Sequence, residues 1–244
     1  MQSTRLPRNV CDELELLIRN FIWGHSSDSR GVHPVNWGTI CSPVANGGFG
    51  FKNLGHQHEA FLLKLVFAMI SALDKLWVHV LRAKYHVYDF VSRSLPNMKG
   101  SWLWKGVCLA WEDVRKNLMW NLGDGNMVDF WDDSWVDTLG SLRSYRTDGV
   151  SHASHCTLIR SMVDHNREWR WSEFIDMVPP SVVQHIEAIK PPNATGITDL
   201  PDWSLEPSRR FMVNSAYRLC TNHPLLEEDQ LWLCLSKYIG LPRV

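Results

Sequence analysis

Apolar residues recur at intervals of three and four through most of residues 7–118, and at Met119 that spacing gives way to a shorter, less regular pattern. A repeat near 3.6 puts apolar side chains on one side of a helix but scatters them over both faces of a strand. The first half is therefore expected to be helical. In residues 7–23 the apolar positions are Val10, Leu14, Leu17, Ile18, Phe21 and Ile22, with Pro7 at the tolerated start and Gly24 just past the end. From Gln57 to Tyr85 the stripe runs through Ala60, Leu63, Phe67 and Ile70, then Leu76, Val80 and Leu81. Asp74 predicts a break there into two helices. Ser101 stands in N-cap position before a further helix predicted to reach Trp120.

Beyond Met119 the signals are those of hairpins and short helices. Gly123-Asp124-Gly125 lies between apolar runs and predicts a tight hairpin, with a second strand over Val128–Phe130. Residues 136–168 are weakly patterned. Residues 168–189 read as a short helix, a Pro179-Pro180 break and a second short helix. Residues Asp202–Leu205 and Arg210–Val213 predict another hairpin, followed by a helix over Asn214–Cys220. Asn46-Gly47-Gly48 is a turn signal and lacks the strand–turn–helix setting of a phosphate loop. The expected class is mainly α with small β-hairpins, an α+β chain.

Composition narrows function without deciding it. The six cysteines are scattered with no CxxC pair, and residues 1–20 carry Asp12, Glu13 and Glu15 rather than an apolar leader. Reduced thiols, no targeting signal and a cytoplasmic or nuclear location are expected. The run Ala60–Ile70 is interrupted by Lys64 and is too short for a membrane span, so no membrane partner is expected. Thirteen tryptophans imply either indole-rich cores or stacking surfaces. Charge is uneven: residues 1–118 hold 14 Lys/Arg against 9 Asp/Glu (+5), and residues 119–244 hold 11 against 17 (−6). Lys52, Lys64, Arg82, Lys84 and Lys105, with Arg115 and Lys116, are interleaved with aromatics in the positive half. They read either as solvated helix faces or as contacts to an RNA or DNA backbone.

Phe130-Trp131-Asp132-Asp133 has the form of the aromatic-x-Asp-Asp box that holds magnesium in reverse transcriptases. In that active site the acids sit at a hairpin tip, whereas here the expected tip is Gly123–Gly125 and the acids fall beyond the second strand. Solvated acids at a strand end are the reading that follows. His152, His155, Cys156 and His165 offer a single thiol and loose spacing, so surface histidines are favoured over zinc. No metal site and no catalytic residue is assigned.

Several segments, in order, resemble plant LINE-type (non-LTR) retrotransposon polyproteins downstream of their polymerase core. They are the Leu6-Pro7…Phe21-Ile22-Trp23-Gly24 stretch, Val35-Asn36-Trp37, Cys41-x-Pro43, and Gly47-Gly48-x-Gly50. Leu76-Trp77-x-x-Val80-Leu81-Arg82-x-Lys84-Tyr85, Trp102-x-Trp104-Lys105-Gly106-Val107, and Gly123-Asp124-Gly125 with Phe130-Trp131-x-Asp133-x-Trp135 follow. Trp203-Ser204, Phe211-x-Val213 and Ser215-Ala216-Tyr217 complete the series. Two departures stand out: His58 where asparagine is common, and Ser208-Arg209-Arg210 where a glycine usually precedes Phe211.

The resemblance implies a helical thumb-like region over residues 1–118 following a polymerase palm, a connector over 119–224, and the start of a reverse-transcriptase zinc-binding region over 225–244. It implies that the polymerase and ribonuclease H carboxylates fall outside this chain. The expectation is thus a fragment that is not itself an enzyme and binds no cofactor, with Mg²⁺ serving only the intact RNA-directed DNA polymerase. At most it would make weak, sequence-independent nucleic-acid contact through the basic front half. A transposon-derived protein-interaction module without nucleic-acid activity is the alternative.

Overall fold

The 3.6-residue repeats of the first half do form helices, but not all of their apolar faces are covered. The computed structural model describes residues 6–24, 35–88, 91, 92, 95, 100–147, 156–193 and 197–221. In chain order the elements are α1 (Arg8–Ile22), α2 (Trp37–Cys41), α3 (Leu54–Ser71), α4 (Leu76–Lys84), α5 (Trp102–Lys116), β1 (Leu118–Asn121), β2 (Ser134–Val136), β3 (Gly140–Ser141), α6 (Pro180–Glu187), β4 (Leu200–Trp203) and α7 (Val213–Thr221). The class is α+β, with small antiparallel strand pairs. No described helix is long and apolar enough to cross a membrane. The chain clusters into two units, one of residues 1–65, 97–110 and 212–244, the other of 66–96 and 111–211.

In the first unit, α1 turns Cys11 and Glu15 inward and leaves Leu17 64% and Phe21 87% exposed. The sequence stripe therefore faces away from the helix's buried side. The reason is a polar clamp: Glu15 Oε2 accepts from Trp37 Nε1 at 2.9 Å, and Oε1 accepts from the Leu54 backbone N–H at 2.7 Å. That second bond places a carboxylate on the N-terminus of α3, where unpaired amides and the helix dipole favour it. Asn36 caps α2 through Gly38 N (2.8 Å), and Asn53 Oδ1 accepts from His56 N in the first turn of α3 (3.0 Å). The Asn46-Gly47 turn forms as expected, with Gly47 at φ 81° closing a short 3₁₀ turn over Val44–Asn46.

In the second unit the expected break at Asp74 separates α3 from α4. Two expected hairpins do not form. The Met119–Asn121 segment does not fold back on Val128–Phe130; β1 pairs antiparallel with β4, Leu118 opposite Trp203 and Asn121 opposite Leu200. The helix before it ends at Lys116 rather than Trp120, because Leu118–Trp120 is taken into that ladder. Likewise Asp202–Leu205 does not pair with Arg210–Val213; β4 turns at 204–209 and the chain passes directly into α7. Local turn chemistry predicted both hairpins, and a ladder between segments some 80 residues apart displaced both, since it buries Leu118, Trp120 and Trp203. The β2–β3 pair is the short hairpin of this region.

Indole burial explains much of the tryptophan content. Phe130 meets Trp131 (5.0 Å between centroids), Trp135 (5.4 Å) and Phe174 (4.8 Å), and Trp135 stacks on Trp169 at 5.5 Å. A second cluster joins Phe67, Trp203 and Phe211, with Trp203–Phe211 centroids 4.7 Å apart. Each aromatic pair adds roughly 0.5–1.5 kcal/mol beyond its buried area. Val182 and Ile186 of α6, which starts on Pro180, are buried in the same unit.

Candidate functional site

The Gly123–Met127 segment is a loop wrapped around a carboxylate. Asp199, 2% exposed, accepts from Gly123 N (2.7 Å) and Gly125 N (3.0 Å) through Oδ1, and from Met127 N (2.9 Å) through Oδ2. Gly123 has no room for a side chain, since a Cβ would collide with the Ile197 carbonyl, and Gly125 adopts φ 71°. The glycines that suggested a hairpin are thus required by close approach and by a left-handed turn.

The Asp-Asp box follows on the same frame. Asp129, 8% exposed, caps the turn: its Oδ1 accepts from Trp131 N (2.9 Å) and Asp132 N (2.8 Å), and its Oδ2 from Thr157 N (2.8 Å). Asp133 Oδ2 accepts from Asp129 N at 2.8 Å, while Asp132 is ion-paired with Arg143. These acids are not the solvated strand end expected from the sequence; they lie in a half-buried turn. Burial pushes the Asp133 carboxyl up to about 7, with the neighbouring Asp129 and Asp132 charges adding to it and its backbone hydrogen bond and Arg115 opposing. One acid is committed to an arginine and the other to a backbone amide, so the pair does not fit a magnesium site. Among the described residues no group of three or more His, Cys, Asp or Glu converges as metal ligands. His152 and His155 lie outside the described residues, and Cys156 and His165 are exposed.

The five basic candidates separate between the units. In the first, Lys52 Nζ sits 4.1 Å from the Tyr217 ring centroid and 3.3 Å from Asn214 Oδ1. Its pKa is lowered by burial and then by the Arg218 charge. Lys105 lies 5.1 Å over Trp102, and Lys64 is exposed on α3. In the second unit Lys84 lies 5.4 Å over Tyr85, at the C-terminal end of α4 with Arg82. Arg115 and Lys116 both reach Glu112 on α5, at 3.5 and 3.7 Å. Arg218 was not among the candidates read from the sequence. Only the docking of α7 against the Lys52–Asn53 segment, where Tyr217 OH accepts from Asn53 N at 3.0 Å, reveals its relation to Lys52.

The chain is similar to two plant proteins. One, "Putative ribonuclease H protein" of Arabidopsis thaliana, is 26% identical over 226 residues, 91% of this chain and 36% of that protein. The other, an uncharacterized mitochondrial protein of the same plant, is 27% identical over 137 residues, 56% of this chain and 89% of its own length. The chain thus spans about a third of the longer relative. No family model and no solved structure matches. The first of these findings corrects the expectation that the chain is not an enzyme: a relative aligned with nearly all of it carries the name of a nuclease.

Proposed function

We propose that the chain is a segment of a LINE-type retrotransposon protein and that it handles RNA or DNA through its phosphate backbone. The observation that carries this reading is the like-charge pair Lys52 and Arg218 in the first unit. Burial and the Arg218 charge together lower the Lys52 pKa, so its cationic form is held at a cost that a phosphate would relieve. Tyr217, itself buried, holds the lysine from below through a cation–π contact, which fixes the position of the charge. Lys64 and Lys105 of the same unit, and Arg82 and Lys84 of the second unit by itself, are further candidate backbone contacts. The thumb-like and connector assignments of residues 1–118 and 119–224, with a zinc-binding start at 225–244, belong to the same reading. Residues 225–244 lie outside the described residues. Magnesium is assigned to the intact protein and to none of the described acids.

The test is a fluorescence-anisotropy titration of the chain with single-stranded RNA and with an RNA–DNA hybrid across a salt series. Affinity should fall steeply with salt, and Lys52→Ala and Arg218→Ala should each lower the log–log slope by about 1. Binding without salt dependence, or an absence of binding, overturns the proposal. The relative's name adds a nuclease reading, tested on the same hybrid with magnesium by following cleavage of the RNA strand.

One observation favours a protein-interaction module as a second reading. It is the exposed row Leu14, Leu17 and Phe21 on α1. By contrast Trp104, Trp111, Trp131, Trp135 and Trp203 are buried and are not available as a tryptophan-rich docking surface.

A further inference from the structure

Two exposed apolar rows on separate helices share one spacing and end on opposite charges. On α1 the Glu15 clamp turns Cys11 and Glu15 inward, so the row Glu13, Leu17 and Phe21 faces out, with Leu17 64% and Phe21 87% exposed. On α4 the buried residue is Val78, and the row Leu76, Val80 and Lys84 faces out, with Leu76 78% and Val80 56% exposed. Both rows advance four residues at a time, so each forms a ridge along its helix. The commonest packing of two helices sets ridges of this spacing into the grooves beside one another.

The charges give the pairing a direction. The α1 row carries its carboxylate at its N-terminal end, and the α4 row carries its ammonium at its C-terminal end. Laid antiparallel, the rows place Glu13 beside Lys84, Leu17 beside Val80, and Phe21 beside Leu76. Laid parallel, they set Glu13 against Leu76 and Phe21 against Lys84, with no ion pair. An α1 row against its own copy offers Glu13 no cation, and two α4 rows offer Lys84 no acid. The match is therefore between unlike rows, and this chain supplies both halves of it. Apolar rows left open in this way mark sites of association.

We infer that α1 of one copy docks antiparallel on α4 of a second copy, the Leu17–Phe21 ridge against the Leu76–Val80 ridge, with Glu13 and Lys84 fixing the register. The contact joins unlike surfaces, so it is heterologous. One helix pair falls short of the roughly 1,200 Å² that a stable interface buries, so the association is weak and concentration-dependent. The inference rests on the second reading above, in which the α1 row binds protein, and supplies its partner. Lys52 and Arg218 take no part in it.

The test is sedimentation velocity of the full chain over a concentration series, without nucleic acid. The weight-average mass should rise with concentration. Phe21→Ser and Leu76→Ser, both at well-exposed side chains, should leave the circular dichroism spectrum unchanged and each weaken the association about tenfold. Glu13→Lys and Lys84→Glu should each weaken it about fivefold, since each variant sets like charges against one another in its own copies. An equimolar mixture of those two variants should recover the wild-type association, because every contact between them again joins opposite charges. A chain that stays monomeric throughout, or a mixture that does not recover, overturns the inference. Association lost with Phe21→Ser but indifferent to Leu76→Ser and Lys84→Glu overturns it while leaving the α1 reading in place. Association indifferent to Phe21→Ser overturns both.

Discussion

The carboxylate of Asp199 is sequestered by the Gly125 loop, its Oδ1 accepting the Gly125 amide at 3.0 Å across 74 residues of chain. Together with the Gly123 and Met127 amides, this contact closes the loop that carries the chain from β1 towards the aromatic cluster. Asp199→Ala would strand three amides at roughly 1–3 kcal/mol each, less whatever water recovers. The variant should lose about 3 kcal/mol or more in urea unfolding. Asp199→Asn, which keeps one acceptor oxygen, should lose less. A loss below about 1 kcal/mol for Asp199→Ala would refute the role.

Arg209 occupies the left-handed region at φ 58°, in the segment where the resembling family usually carries glycine before Phe211. Its backbone carbonyl accepts from Trp203 N at 2.8 Å, and its side chain pairs with Asp137 at 2.7 Å and contacts Met119. Left-handed backbone costs a non-glycine residue about 1–2 kcal/mol, whereas an exposed ion pair is worth about 0–1 kcal/mol. Arg209→Gly should therefore be neutral to stabilising by up to about 1 kcal/mol. Arg209→Ala keeps the strain, loses the pair and should destabilise. Thermal melts of the two variants that fall in the opposite order would contradict this account.

Asp133 links stability to pH. Its carboxyl rises from 3.8 unfolded to about 7 folded, so the folded chain holds the extra proton between about pH 4 and pH 7. This group's contribution is complete below about pH 4, is lost as pH rises through that window, and is constant above it. The ceiling on the effect is about 4 kcal/mol. Asp133→Asn, which can still accept from Asp129 N, should remove the decline and be the more stable protein at pH 8. Parallel stability–pH curves for wild type and variant would rule this out.

Glu15 ties α1 to two other segments. Replacing it with alanine leaves the Trp37 indole N–H and the Leu54 amide without their acceptor, a loss of about 2–4 kcal/mol. Glu15→Gln should keep one of the two bonds and cost about half as much. Denaturant midpoints would measure both, and a Glu15→Gln protein as stable as wild type beside a destabilised Glu15→Ala would show that side-chain volume, not hydrogen bonding, is what matters.

The helices were legible because their determinants are local. Apolar spacing placed α1, α3, α4, α5 and α7 within a few residues, and Asp74 and Ser101 marked a break and a cap. The candidate site was legible only in part. Lys52 could be named from its setting among aromatics, but Arg218 could not, since 166 residues separate them and no periodicity records the docking of α7.

Gly123-Asp124-Gly125 marks the division most clearly. The sequence by itself determined that the chain must turn there, because two glycines permit backbone that other residues resist. Whether the turn closes a hairpin or encloses a distant carboxylate was a choice between two solutions with the same local chemistry. The tertiary structure decided it: pairing β1 with β4 buries Leu118, Trp120 and Trp203, and brings Asp199 to the loop amides. A local hairpin offers neither the burial nor the charged acceptor. The aspartates of the Phe-Trp-Asp-Asp segment were settled in the same way, one by Arg143 and the other by the amide of Asp129.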